Sequence, residues 1–105
     1  MDVVVTYEGV TRTVAIQDDE VLIGRKSSNN EPDLDLSPDK SVSRRHAKLW
    51  LDHGKYWIED LDSTLGVTVN GLKKPKSQVT FGDLIDIGRT RLQLLPARME
   101  DMVSG

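Results

Sequence analysis

Four short polar blocks hold the residues whose types and spacing could do chemistry. They are Gly24-Arg25, Ser43-Arg44-Arg45-His46, the run Asp60-Leu61-Asp62-Ser63-Thr64-Leu65-Gly66, and Val69-Asn70-Gly71. Each falls where an alternating apolar run ends or begins, so loops carry the polar side chains. Arg25, Ser43 and Thr64 together offer a guanidinium and two hydroxyls, a donor set suited to a tetrahedral dianion. The guanidinium fork gives charge-assisted hydrogen bonds and the hydroxyls add directional ones. A plainer reading stands beside each. A lone Arg at a strand end is most often a solvated charge, and a loop Ser most often bonds to nearby backbone. The hydroxyl oxygen of Ser43 has lone pairs enough to do both. Arg44 adds positive potential or packs across its loop, and Arg45 is expected to be an ordinary surface charge. From Gly24 to Lys48 the cations Arg25, Lys26, Lys40, Arg44, Arg45 and Lys48 meet the anions Glu31, Asp33, Asp35 and Asp39. Such a small mixed patch suits one phosphate better than a polyanion.

Catalytic and metal readings of the same residues fail. Ser43, His46 and Asp62 could be written as nucleophile, base and orienter. Ser43, however, lacks the tight Gly-x-Ser-x-Gly turn that exposes a nucleophile, and no oxyanion hole accompanies it. His46 and His53 are the two histidines of the chain, and His53 belongs to a hairpin turn at the far end of its strand. Asp33-x-Asp35-x-Ser37 begins like a calcium loop, but Pro38 stands where Gly is required and Arg44 where Glu should close the site. Gly24-Arg25-Lys26-Ser27-Ser28 lacks the spacing of a P-loop. No catalytic residue, metal ligand or cofactor is expected.

The elements that must position these loops are strands. Short alternating or β-branched runs recur, each bounded by Gly, Asp, Asn or Pro, the pattern of an all-β sandwich. Strands are predicted at Val3–Tyr7, Thr11–Ile16, Glu20–Arg25, Leu34–Leu36, His46–Leu51, Lys55–Leu61, Val67–Asn70, Gln78–Phe81, Leu84–Ile87 and Thr90–Leu95. Two hairpins can be registered. A turn at His53-Gly54 sets Leu51 against Tyr56 and Leu49 against Ile58 on one face, with Trp50 against Trp57 and Lys48 against Glu59 on the other. A turn at Gly88-Arg89 sets Ile85 against Leu92 and Asp86 against Arg91. Apolar pairs inside and opposite charges outside are what cross-strand energetics prefer, and a slip of one residue destroys both. Trp50 and Trp57 staple their hairpin, with a docking patch for another domain as the alternative.

Size and composition bound the rest. A chain of 105 residues builds one core, not two. The sandwich is expected over residues 1–95, and residues 96–105 read as a tail or linker to a region not included. No Cys is present, so there is no disulfide framework, and a cytoplasmic or other reducing compartment is the simpler expectation. No leader or long apolar run points to a membrane. A net charge of -3 argues against general nucleic-acid binding, which rests on a basic face.

In order and spacing, the Gly-Arg pair, the Ser-Arg-x-His block, Asn70-Gly71 and the later Gly82-Asp83-Leu84-Ile85-Asp86-Ile87-Gly88 resemble the forkhead-associated (FHA) family of phosphothreonine-peptide binding modules. The resemblance runs from about Val21 to Leu94. It implies an eleven-strand β-sandwich of two twisted, mainly antiparallel sheets, with binding loops at one end. It further implies that Arg25, Ser43, Arg44 and Thr64 hold the phosphate, that Lys26 and Leu65 contact the peptide, and that Gly24, His46, Ser63, Gly66 and a buried Asn70 form the scaffold. The implied partner is a threonine-phosphorylated protein or peptide, and the implied setting is a larger signalling protein with further domains covalently attached. Two positions depart from the family pattern. Leu65 stands where the family has an Asn that bonds the peptide main chain, and Val67 where it has Thr or Ser. The phosphate pocket is thus kept and the peptide clamp weakened. The alternative is an FHA fold serving as a phosphate-independent interaction or assembly domain.

Overall fold

The β-branched and alternating stretches pair into two sheets in a computed structural model that describes residues 1–97. The strands are β1 (Asp2–Tyr7), β2 (Val10–Ala15), β3 (Glu20–Gly24), β4 (Leu34–Asp35), β5 (Ala47–Asp52), β6 (Lys55–Asp60), β7 (Val67–Val69), β8 (Leu72–Lys73), β9 (Lys76–Val79), β10 (Ile85–Ile87) and β11 (Thr90–Leu95). One sheet has the order β2-β1-β11-β10-β7-β8 and the other β4-β3-β5-β6-β9. All pairings but the parallel β3–β4 contact are antiparallel. This is the expected all-β sandwich.

Every second residue faces the core, the geometric consequence of a strand's period of two. Val3 and Val5 of β1, Val21 and Ile23 of β3, Ile85 and Ile87 of β10, and Leu92 and Leu94 of β11 are all buried. The two predicted hairpin registers are those observed: Leu49 faces Ile58, Trp50 faces Trp57 and Lys48 faces Glu59, while Ile85 faces Leu92 and Asp86 faces Arg91. The last pair is a two-point ion pair, Arg91 Nε to Asp86 Oδ1 at 2.9 Å and Nη2 to Oδ2 at 3.2 Å. On the outer face Lys48 Nζ lies 4.9 Å from the Trp50 ring centre, and Lys76 Nζ 5.3 Å from Trp50 and 5.7 Å from Trp57. The indoles therefore lie under lysine side chains and are partly buried.

Two local features differ from expectation. Strand β8 carries no apolar alternation, since Leu72 and Lys73 are both exposed, and its pairing to β7 follows from the Asn70-Gly71 turn. Strand β9 begins at Lys76 and ends at Val79, because it pairs with Tyr56 to Glu59 of β6. Phe81 consequently lies outside the strand and is half exposed, tilted against Tyr56 with ring centres 6.0 Å apart. The expected tail falls mostly on residues 98–105, outside the described residues. Among the described residues no helix is long and apolar enough to cross a membrane.

Candidate functional site

Glycine at position 24 sets up the site. Its carbonyl accepts from Leu36 N–H at 2.8 Å, while the next residue, Arg25, donates its N–H to the Arg44 carbonyl at 3.2 Å. A methyl group at Gly24 would overlap that same Arg44 carbonyl. Absence of a side chain therefore lets the β4–β5 loop cross directly over the end of β3. The Arg25 side chain is turned along this loop, its Nε donating to the Val42 carbonyl, one residue before Ser43. Arg25 and Ser43 are thus brought to one place by backbone crossing, although eighteen positions separate them in sequence.

Ser43 and Thr64 are also joined. The Ser43 hydroxyl oxygen accepts the Thr64 N–H at 3.1 Å, which leaves the hydroxyl proton of Ser43 available for an acceptor. Beneath them lies His46, fully buried. Its Nδ1 accepts from Ser43 N–H at 3.0 Å, so its Nε2 carries the proton and donates to the Gly66 carbonyl at 2.7 Å. Both ring nitrogens are spent on the backbone, one on each loop, and none is left for proton transfer. The β6–β7 loop closes on itself: the Ser63 hydroxyl donates to Asp60 Oδ1 and accepts Gly66 N–H at 2.8 Å. Asp62 and Gly66 take the left-handed backbone conformation there, with φ of 60° and 79°. This shape turns the Thr64 and Leu65 side chains outward, and both residues are exposed.

The remaining candidates separate. Arg44 is exposed beside the crossing and Arg45 is exposed in the outer hollow near Glu20, Asp33 and Lys48. Lys26 pairs through Nζ with Glu31 at 3.4 Å, and its N–H donates to Ser37 Oγ at 3.0 Å. Asn70 is not buried. It is exposed in the β7–β8 turn with φ of 51°. Its Oδ1 accepts Leu84 N–H at 2.9 Å and its Nδ2 donates to Asp83 Oδ1 at 3.1 Å. It ties two turns at the opposite end of β7 from Gly66, because the Asn-Gly turn former was placed by hairpin geometry. Burial of its own is not needed for that.

Two residues of the site escaped sequence reasoning. Asn30 folds back through a Ser27–Asn30 turn, and its Nδ2 donates to the Arg44 carbonyl at 2.6 Å and the Arg25 carbonyl at 3.0 Å. It clasps the backbone of both arginines. Asp39, only 1% exposed, accepts from Ser41 N–H at 3.0 Å, Arg89 N–H at 2.7 Å and the Thr90 hydroxyl at 2.8 Å. It fastens the β4–β5 loop to the β10–β11 turn. Burial pushes its carboxyl up, but the hydrogen bonds from the Ser41 and Thr90 hydroxyls and the Ser41 and Arg89 amides outweigh burial, and the group sits below the ordinary carboxylate range. The Asp-x-Ser spacing at Asp39 and Ser41 was the readable signal, since an Asp there bonds its own backbone two residues on.

Taken together, Arg25, Ser43 and Thr64 meet at one rim fed by three loops, with Arg44 exposed beside it, over a floor held by His46, Ser63 and Asn30. Chemically the rim offers donors without an aligned base or nucleophile. The FHA domain family profile matches residues 21–88. Over 76 residues the chain is 34% identical to the glycogen accumulation regulator GarA of Mycolicibacterium smegmatis, covering 71% of this chain and 48% of that protein. The chain thus spans about half the length of that relative. Among solved structures, one from a study of phosphothreonine-dependent FHA domain interactions is 30% identical, with a TM-score of 0.73, covering 91% of this chain and 99% of its own. The FhaA FHA domain complexed with the intracellular domain of Rv3910 is 32% identical, with a TM-score of 0.72, covering 87% and 97%.

Proposed function

Because this chain belongs to the FHA domain family, we propose that its loop rim binds a phosphothreonine peptide as a recognition module without catalytic activity of its own. The phosphate is held by Arg25, Ser43, Arg44 and Thr64, with Lys26 and Leu65 beside the peptide. The observation that carries this reading is the Ser43–Thr64 link. It holds two hydroxyl-bearing loops at one distance and leaves the Ser43 proton free beside Arg25. A phosphate at neutral pH brings about -1.5 to -2 charge and three acceptor oxygens. Arginine and hydroxyl donors recognise those oxygens, as phospho-motif readers do. The domain works within a larger signalling protein whose partner is phosphorylated on threonine.

Leu65 supports a second reading. It is 51% exposed at the rim where the family pattern has an amide, so the same face can serve a phosphate-independent contact. Calorimetric titration with a phosphothreonine peptide library, before and after phosphatase treatment, separates the two. Binding lost on dephosphorylation supports the phosphate site; binding that survives it supports the second reading.

A further inference from the structure

Strand β2 is the outer strand of its sheet, and along Val10–Ala15 it has no partner on its far side among the described residues. Its hairpin register fixes which backbone groups are free. Ile16 N–H donates to the Met1 carbonyl at 2.8 Å, and the Met1 amino group to the Ile16 carbonyl at 3.1 Å. Since bonded and non-bonded pairs alternate along an antiparallel ladder, Val10, Arg12 and Val14 bond inward to β1. Thr11, Thr13 and Ala15 present their N–H and C=O groups outward.

Edges of this length are normally blunted by charged side chains, proline or a bulge. Here the segment Val-Thr-Arg-Thr-Val-Ala has neither proline nor bulge, its register with β1 runs unbroken from Asp2 to Tyr7, and Arg12 is its one charged residue. Its single charge is drawn away: Arg12 Nη2 donates to the Asp35 carbonyl at 2.7 Å, across the open side of the sandwich. Beside it lies a groove of about 320 Å³ whose walls include Val5, Val10 and Leu36 together with the charged Glu8, Arg12 and Asp39. Val10, 69% exposed, forms its lip.

We propose that β2 pairs antiparallel with β2 of a second copy of this chain, joining the two six-stranded sheets across a two-fold axis at Thr13. In that register Thr13 faces Thr13 of the second copy and Thr11 faces Ala15, each pair exchanging both backbone hydrogen bonds. Arg12 faces Val14, so no like charges meet within the ladder. Ile16 of the second copy covers Val10. Shifting the axis by one residue, to Arg12, sets the two arginines opposite each other, which cross-strand energetics disfavour. Beyond the ladder Glu8 approaches Asp18 of the second copy, so salt tightens the pair by screening them. One strand pair is a small interface, and the association is weak and reversible.

Sedimentation equilibrium of the chain, run up to millimolar concentration and at two salt concentrations, tests this. The expected result is a mass that climbs towards twice the monomer with concentration, more steeply in high salt. Hydrogen exchange should slow at Thr11, Thr13 and Ala15 as concentration rises. Thr13→Pro removes an outward N–H and leaves the bonds to β1 intact, because proline is tolerated on an edge; it should be monomeric with its melting temperature little changed. Thr13→Lys, which places a charge on the axis, guards against misfolding of the proline variant and should behave alike. A wild-type chain that stays monomeric, or a dimer that persists in a folded variant, overturns the proposal. So does association that weakens with salt.

Discussion

Arg25 shows how one residue is asked to do two things. Its Nε supports the Val42 carbonyl, and the proposed site asks the rest of its guanidinium to meet the phosphate. On that proposal Arg25→Ala removes a charge-assisted contact to a dianion, worth roughly 1.5–3 kcal/mol, at least a tenfold loss of affinity. Loss of the bond to the Val42 carbonyl costs about 0.5–1.5 kcal/mol of stability. Titration with a phosphothreonine peptide should therefore show strongly weakened binding in a variant that still melts cooperatively. Equal affinity in variant and wild type would remove Arg25 from the phosphate site. Leu65 tests the neighbouring peptide contact. The side chain is exposed, so Leu65→Asn gives up little packing and adds a donor and an acceptor where the proposed peptide main chain would pass. At about 0.5–1.5 kcal/mol per hydrogen bond, affinity should rise several-fold. An unchanged or weaker titration would make Leu65 a working apolar contact instead.

At the scale of strands and loops, what could be read from sequence and what could not divide cleanly. The β5–β6 and β10–β11 registers were legible because each pairs apolar with apolar on one face and opposite charges or aromatics on the other, a complementarity that only one register satisfies. Strand β8 was not, because two exposed residues carry no pattern and their pairing is inherited from the turn before them. In the site, the hydroxyls and cations could be picked out by type. The clasp of Asn30 on the Arg25 and Arg44 carbonyls could not, since its acceptors are backbone atoms that every residue possesses. Gly24 was legible as half of a Gly-Arg pair, but what crosses over it, the Arg44 carbonyl, is a tertiary fact. His46 is the joint between two loops, and its loss should be felt as instability first. His46→Ala strips partners from the Ser43 amide and the Gly66 carbonyl, at a cost on the order of 1–3 kcal/mol, or roughly 4–8 °C of melting temperature per kcal/mol. Weaker phosphopeptide binding should follow from the disturbed loops. Thermal melts alongside titrations check the order of these effects. An unchanged melting temperature with binding abolished would mean that His46 meets the ligand itself.

For the whole molecule, the carboxylates that fasten loops to sheets set its response to acid. Asp39 lies below the ordinary carboxylate value of 3.8. Asp35 is lowered as well: burial alone would raise it, but the Ser37 hydroxyl and amide and the Lys26 amide outweigh that. Asp83 is lowered by the Thr80 amide and the Asn70 side chain. A carboxyl depressed in the folded state binds its proton more readily when the chain unfolds. Its contribution is therefore present above the unfolded value and is lost as pH falls through the folded one. All three groups act in the same direction, so stability should hold near neutrality and decline once pH drops below about 5. Asp39 permits a direct check because it is buried and joins the β4–β5 loop to the β10–β11 turn. Asp39→Asn keeps the shape but turns an N–H-bearing amide towards groups that are themselves donors, so at neutral pH it should cost on the order of 1–3 kcal/mol. Acid protonates the wild-type carboxyl and places a proton on the same crowded oxygens. The gap in melting temperature between wild type and Asp39→Asn should therefore narrow steadily as pH is lowered through the carboxylate range. A gap that stays constant across that range would mean that Asp39 does not titrate with folding, and the fastening of the loop would have to be sought in the Ser41 and Thr90 hydroxyls alone.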